Sequence, residues 1–96
     1  MKVTIRSDRL TVDIQSLGAE LASVRSADGI EYLWQGNPAH WSGRAPILFP
    51  YVGRLRGGRA ESACGPVVGG GHGFARRAEW TLTDKSDTAV TFTLQD

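Results

Sequence analysis

His72 lies between Gly71 and Gly73 in the run GGGHGFARR, where flanking glycines free the backbone to present an imidazole through unusual dihedrals. Imidazole titrates near neutrality and both donates and accepts protons, which suits acid–base work on hydroxyl groups. Arg54, Arg56 and Arg59 precede it, and Arg76 and Arg77 follow it. Guanidinium forks bind vicinal hydroxyls, carboxylates or phosphates with defined geometry. Residues 44–77 hold six of the eleven basic residues, eight of the twelve glycines and a single acid, Glu61. Their formal charge is therefore +5, against −4 over the rest of the chain. A basic, glycine-loosened stretch of this kind suits a polar or anionic ligand. The plainer alternatives are a surface histidine in a flexible loop and a solvated basic face.

Other chemistries find less support. Metal binding needs clustered ligands, whereas His40, Cys64 and His72 are far apart and without paired spacing, so no metal or other cofactor is expected. GGGHG has no GxSxG nucleophile to serve, and no GxxxxGK phosphate loop is present. GRLRGGR is short and is followed by no aromatic run, so it is a weak match to an arginine–glycine nucleic-acid segment. Trp34, Trp41 and Trp80 could stack on sugar faces, but buried core tryptophans are commoner.

The elements that must position these residues read as β-structure. Val3 and Ile5, then Leu10, Val12 and Ile14, alternate with polar neighbours, with Ser7-Asp8-Arg9 as the turn between them. Residues 20–26 continue the alternation through Leu21 and Ser23 or through Ala22 and Val24. Asp28-Gly29 is a turn signal, residues 31–35 (EYLWQ) favour a strand, and Asn37-Pro38 breaks it. Trp80 and Leu82, a polar turn over 84–88, and Val90, Phe92 and Leu94 predict a C-terminal hairpin. No stretch sustains helical periodicity, so the class is all-β, antiparallel, with a long glycine-rich loop in the middle. A connection of that length in a small domain usually signals function or disorder.

Ninety-six residues make at most one domain, with a modest core. The 41% hydrophobic and 22% charged content is that of a folded chain, not a disordered one. A net charge of +1 exerts no global pull on nucleic acid or membrane. The single cysteine excludes an internal disulfide. No apolar run approaches the ~20 residues of a membrane span, and MKVTIRSDRL lacks the apolar block of a signal peptide. The expectation is a cytoplasmic protein with no nucleic-acid or membrane partner.

Residues 17–21 (LGAEL), Tyr32-Leu33-Trp34, Trp41, residues 46–50 (PILFP) with Val52-Gly53-Arg54, and residues 72–76 (HGFAR) resemble, in order and spacing, the N-terminal part of the aldose 1-epimerases. Within that group they are most similar to the bacterial branch with FP-x-VGRL and HGFAR blocks. The resemblance implies a galactose mutarotase-like β-sandwich (a supersandwich) and interconversion of α and β anomers of a hexose or hexose phosphate. In the family a carboxylate takes the proton from the anomeric hydroxyl while a histidine protonates the ring oxygen, and the opened ring recloses on its other face. By motif position, His72 would assist proton transfer beside the ring, Arg54 would hold sugar hydroxyls, and Arg76 would line the site or pair with an acid.

The resemblance also implies that residues 1–96 form a single, incomplete mutarotase-like domain. The general-acid histidine and the late general-base glutamate belong to sections of the family with no counterpart here. Residues 59–71, where relatives form a strand pair, are expected to be looser because of their glycines. An open sheet implies association with a second copy or another polypeptide, or a chain that is only marginally folded. The alternatives to an epimerase are a non-catalytic carbohydrate-binding module and an inactive truncated fragment.

Overall fold

The computed structural model describes residues 1–62 and 65–95. Strands β1 (Lys2–Arg6) and β2 (Leu10–Gln15) pair antiparallel, with Val3 opposite Ile14 and Ile5 opposite Val12. Cross-strand partners point to the same side, so these apolar residues share one face. The Ser7 hydroxyl accepts the Arg9 and Leu10 N–H groups at 3.2 Å each and closes the predicted turn.

Strand β3 (Glu20–Ser26) pairs with β2, and the register slips between Asp13 and Ile14. Such a bulge breaks strict alternation. Ala22 and Ser23 are both buried while Leu21 is exposed, so neither of the two alternations expected for 20–26 describes this strand alone. Ser23 is buried because it stands opposite Asp13 within a polar network on the sheet's other face. Thr4 Oγ1 donates to Asp13 at 2.7 Å, and Arg25 Nη1 reaches its other oxygen at 2.9 Å. The Arg25 guanidinium, then the Thr4 hydroxyl, hold the Asp13 carboxyl below the usual carboxylate range.

The strand expected at 31–35 is absent. Glu31 alone bridges to Arg25, and its carboxylate accepts the Val24 and Leu33 amides at 2.8 and 3.1 Å. A side chain thus occupies amides that a continued ladder would use. The Ser23 hydroxyl also donates to Glu31, and with those amides it holds the Glu31 carboxyl below its ordinary value. Gly36 then takes a left-handed φ of 75°.

Among the described residues of 59–71, a strand pair stands where looseness was expected. β4 (Arg59–Ser62) and β5 (Gly65–Val68) form an antiparallel pair with Arg59 opposite Val68. Ala60 opposite Val67 supplies an ordinary cross-strand pair, and the glycines gather outside it, at 57–58 and 69–71. β6 (Thr81–Lys85) and β7 (Val90–Thr93) form the predicted C-terminal hairpin, with its turn closed by Ser86. Helical structure among the described residues is confined to 3-10 turns at Arg56–Gly58 and Ala75–Arg77. The chain is all-β and antiparallel.

Packing between these sheets is thin. Among the described residues, the buried apolar ones are Val3, Ile14, Ala22 and Ala75. The accessible surface is 6763 Å², about 1,400 Å² above the ~5,400 Å² expected for a compact monomer of this length. The radius of gyration is 15.8 Å, against about 12.5 Å for such a monomer. Large apolar side chains remain exposed, among them Leu10, Leu21, Ile47 and Phe49.

Candidate functional site

Three of the segments singled out in the sequence cross one another, mostly by backbone. The Phe49 carbonyl accepts from Phe74 N at 3.0 Å and from Ala75 N at 3.2 Å, and Phe49 forms a parallel bridge with Gly73. From the other side, Gly18 N donates to the Ala78 carbonyl at 2.7 Å, and Trp80 N donates to Ser16 at 2.9 Å. Trp80 Nε1 returns to the carbonyl of the fully buried Ala75 at 3.0 Å. Side chains would keep these backbones apart. A Cβ on Gly73 would stand 2.1 Å from the Phe49 carbonyl oxygen, and one on Gly18 would stand 2.7 Å from that of Arg76. The glycines of the LGAEL and HGFAR blocks are thus explained by close approach.

This crossing presents His72. Its φ is +61°, in the left-handed region that few non-glycine residues occupy, and such strain is tolerated where the surroundings fix it. The fixing contacts are reciprocal. His72 N donates to the Gly53 carbonyl at 2.6 Å, and Gly53 N donates to His72 Nδ1 at 2.8 Å. An Nδ1 that accepts carries no proton, so the neutral ring carries it on Nε2. Nε2 has no protein partner among the described residues, and His72 lines a pocket of about 450 Å³. The imidazole is oriented, with its donor free for a ligand.

Arg54, Arg76 and Arg77 line the same pocket. The Arg54 side chain is exposed and runs along Gly71, where an added Cβ would lie 3.6 Å from its Cγ. Arg76 is half-buried and its Nη2 donates to the Gly71 carbonyl at 3.0 Å, clamping the turn that carries His72. Its Nε is buried without a partner, and no acid pairs with it among the described residues. Arg77 Nη1 lies 3.7 Å from where a Gly70 Cβ would be. Among the described residues, no Asp or Glu lines this pocket.

The remaining candidates lie elsewhere. Arg56 is exposed and outside the pocket, and Arg59 pairs with Glu61 at 3.3 Å, a surface contact worth about 0–1 kcal/mol. His40 packs edge-on against Trp34 at 6.1 Å, and Trp34 Nε1 donates to the Trp41 carbonyl at 2.7 Å. None of the three tryptophans lines the His72 pocket. Cys64 lies outside the described residues. Sequence reasoning named Arg77 among the guanidinium forks without giving it a site role, and it missed the Gly53 N–H that orients the imidazole. The arginine doublet signalled the first, whereas nothing local to Gly53 signals a backbone donor nineteen residues from its acceptor.

Comparison with known proteins follows the same lines. The family model described as aldose 1-epimerase matches residues 1–96. The chromosomal and plasmid LacX proteins of Lactococcus lactis subsp. lactis are each 40% identical to this chain over 100 residues. Each match covers 99% of the chain and 33% of the relative, so the chain spans about a third of the length of these curated relatives. It corresponds to their N-terminal part. The structure of a galactose mutarotase related enzyme from Lactobacillus acidophilus superposes with a TM-score of 0.90 at 39% identity, covering 100% of this chain and 32% of the other. A galactose mutarotase-like protein from Lactobacillus casei gives 0.86 at 38% identity over 96% of this chain and 32% of its own.

Proposed function

From the premise that the chain belongs to the aldose 1-epimerase family, we propose that the His72 pocket binds an aldose at its anomeric end. The observation that carries this reading is the Gly53–His72 interlock, which leaves Nε2–H as a fixed donor at the pocket wall. Such a donor suits the ring oxygen or a neighbouring hydroxyl of a pyranose, and the Arg54 fork suits vicinal hydroxyls. Arg76 holds the turn. In mutarotation a base removes the proton from the C1 hydroxyl, the bond from C1 to the ring oxygen breaks, and that oxygen gains a proton. Rotation about the C1–C2 bond and reclosure on the other carbonyl face give the second anomer. His72 assists the proton movement at the ring.

Among the described residues, the pocket's lining holds no carboxylate to serve as the base. That observation favours a second reading, a carbohydrate-binding module, for this chain acting alone. In the enzyme reading, residues 1–96 form one incomplete domain whose base and second histidine come from further polypeptide. Polarimetry of freshly dissolved α-D-galactose, with the polypeptide that would supply the base added in trans, separates the two. Acceleration abolished by His72→Ala supports the enzyme, and saturable binding without acceleration supports the module. A folded sample that does neither would exclude both.

A further inference from the structure

We propose that Tyr51 is a positioning residue of the sugar site, its hydroxyl holding the Gly70 carbonyl at the base of the turn that presents His72. This rests on the carbohydrate reading above and adds a residue to it.

Residues 69–71, which line the pocket beside His72, are consecutive glycines. Such a segment has no side chain to anchor and the most backbone freedom to lose, so only groups that reach its amides and carbonyls can hold it. Each glycine is held in that way. Gly69 N donates to the Gly58 carbonyl at 3.1 Å, Arg76 Nη2 donates to the Gly71 carbonyl at 3.0 Å, and the Tyr51 hydroxyl donates to the Gly70 carbonyl. The middle contact bears directly on His72. The Gly70 carbonyl also accepts from Gly73 N at 3.3 Å, and that bond closes a four-residue turn with His72 in its third position. The bond is long for an amide, and the left-handed φ of His72 strains the turn it closes. The phenol pins the shared acceptor oxygen from outside the turn. A Cβ on Gly69 would stand 2.9 Å from the phenol oxygen, so glycine at that position leaves the hydroxyl its place.

Tyr51 belongs to the segment that supplies the other grips on this block. The Phe49 carbonyl accepts from Phe74 N and Ala75 N just beyond the turn, and Gly53 holds His72 itself through its carbonyl and its amide. Residues 49, 51 and 53 thus grip the turn and its exit at successive points, and Tyr51 does so through a side chain. The phenol does not line the pocket, so its effect on a sugar passes through His72. Without the hydroxyl the turn opens more often, Nδ1 leaves the Gly53 amide more often, and Nε2 faces the pocket for a smaller share of the time.

The test is Tyr51→Phe in the 96-residue chain, which removes the hydroxyl and keeps the half-buried ring. In the unliganded variant the His72 Nδ1 resonance and the Gly53 amide proton should both move towards their unbonded positions, while backbone resonances of β1–β3 stay in place. These shifts report the folded ensemble, so a general loss of stability would not move them. One ordinary hydrogen bond changes an opening equilibrium by about fivefold, and galactose affinity should fall by about two- to fivefold with the competent population. An unshifted Nδ1 and Gly53 amide would overturn the proposal, and so would shifted signals with unchanged galactose affinity. A variant that fails to fold would overturn it too, because the phenol would then hold the fold rather than the turn. A folded parent that does not bind galactose would overturn the carbohydrate reading and this role with it, and that result is separate from the unliganded signals.

Discussion

Gly73→Ala tests the backbone crossing beneath the site. The new Cβ would stand 2.1 Å from the Phe49 carbonyl oxygen, where about 3.0 Å is the closest that real Cβ atoms tolerate. The two segments must part by about 1 Å, which sacrifices the bonds that oxygen accepts from Phe74 N and Ala75 N. Two such bonds contribute about 1–3 kcal/mol net. Holding alanine at the φ of +75° found here adds about 1–2 kcal/mol. The expected loss is about 2–5 kcal/mol, a large share of the ~5–15 kcal/mol stability of a typical domain. Gly29→Ala is the control, because Gly29 has φ +87° but nothing within 4 Å of its added Cβ. It should lose only the conformational part. Urea unfolding followed by tryptophan fluorescence reads both, and Gly73→Ala should lower the midpoint by at least about 1 M. Equal midpoints for the two variants would refute the close-approach argument.

Other consequences follow from the same geometry. Asp13 and Glu31 are held below their ordinary values near 3.8 and 4.5, so their stabilisation is full above those values and is lost as pH falls through the lower folded ones. Urea midpoints between pH 3 and 7 should drop at the acid end, and Asp13→Asn should flatten that drop while weakening the protein at pH 7. Parallel pH curves for parent and variant would remove Asp13 from the account. Arg76→Met should cost no more than about 1 kcal/mol, because losing the bond to Gly71 is offset by removing the buried, unpartnered Nε. It should nevertheless speed amide exchange around residues 70–72, and unchanged exchange would deny Arg76 its clamping role. The chain should also associate with itself or another polypeptide, or prove only marginally folded, since large apolar side chains such as Leu10, Leu21 and Phe49 stay exposed. Sedimentation showing a compact monomer at high concentration would contradict that.

Local pattern carried the paired strands and their turns. Val3, Ile5, Val12 and Ile14 alternate and pair across one face, and Ser7 and Gly29 close the turns their types suggested. The reading failed where a side chain replaced a ladder: Glu31 satisfies the Val24 amide, and EYLWQ never extends into a strand. It failed again at 59–68, where glycine count outweighed the pairing of Ala60 with Val67. For the site, the motif residues His72, Arg54 and Arg76 were legible, and the pocket gathers all three. The unusual φ of His72 follows from its glycine neighbours, but what fixes the imidazole was not legible, because the Gly53 amide lies nineteen residues from its acceptor and residue type does not encode that contact.

The most direct measurement is a galactose titration of the isotopically labelled protein, observing the imidazole nitrogens of His72. The account predicts that Nδ1 stays in its bond to Gly53 while the Nε2 resonance shifts saturably, an effect weakened by Arg54→Ala. A folded protein whose Nε2 resonance does not respond to galactose or to galactose 6-phosphate would contradict it.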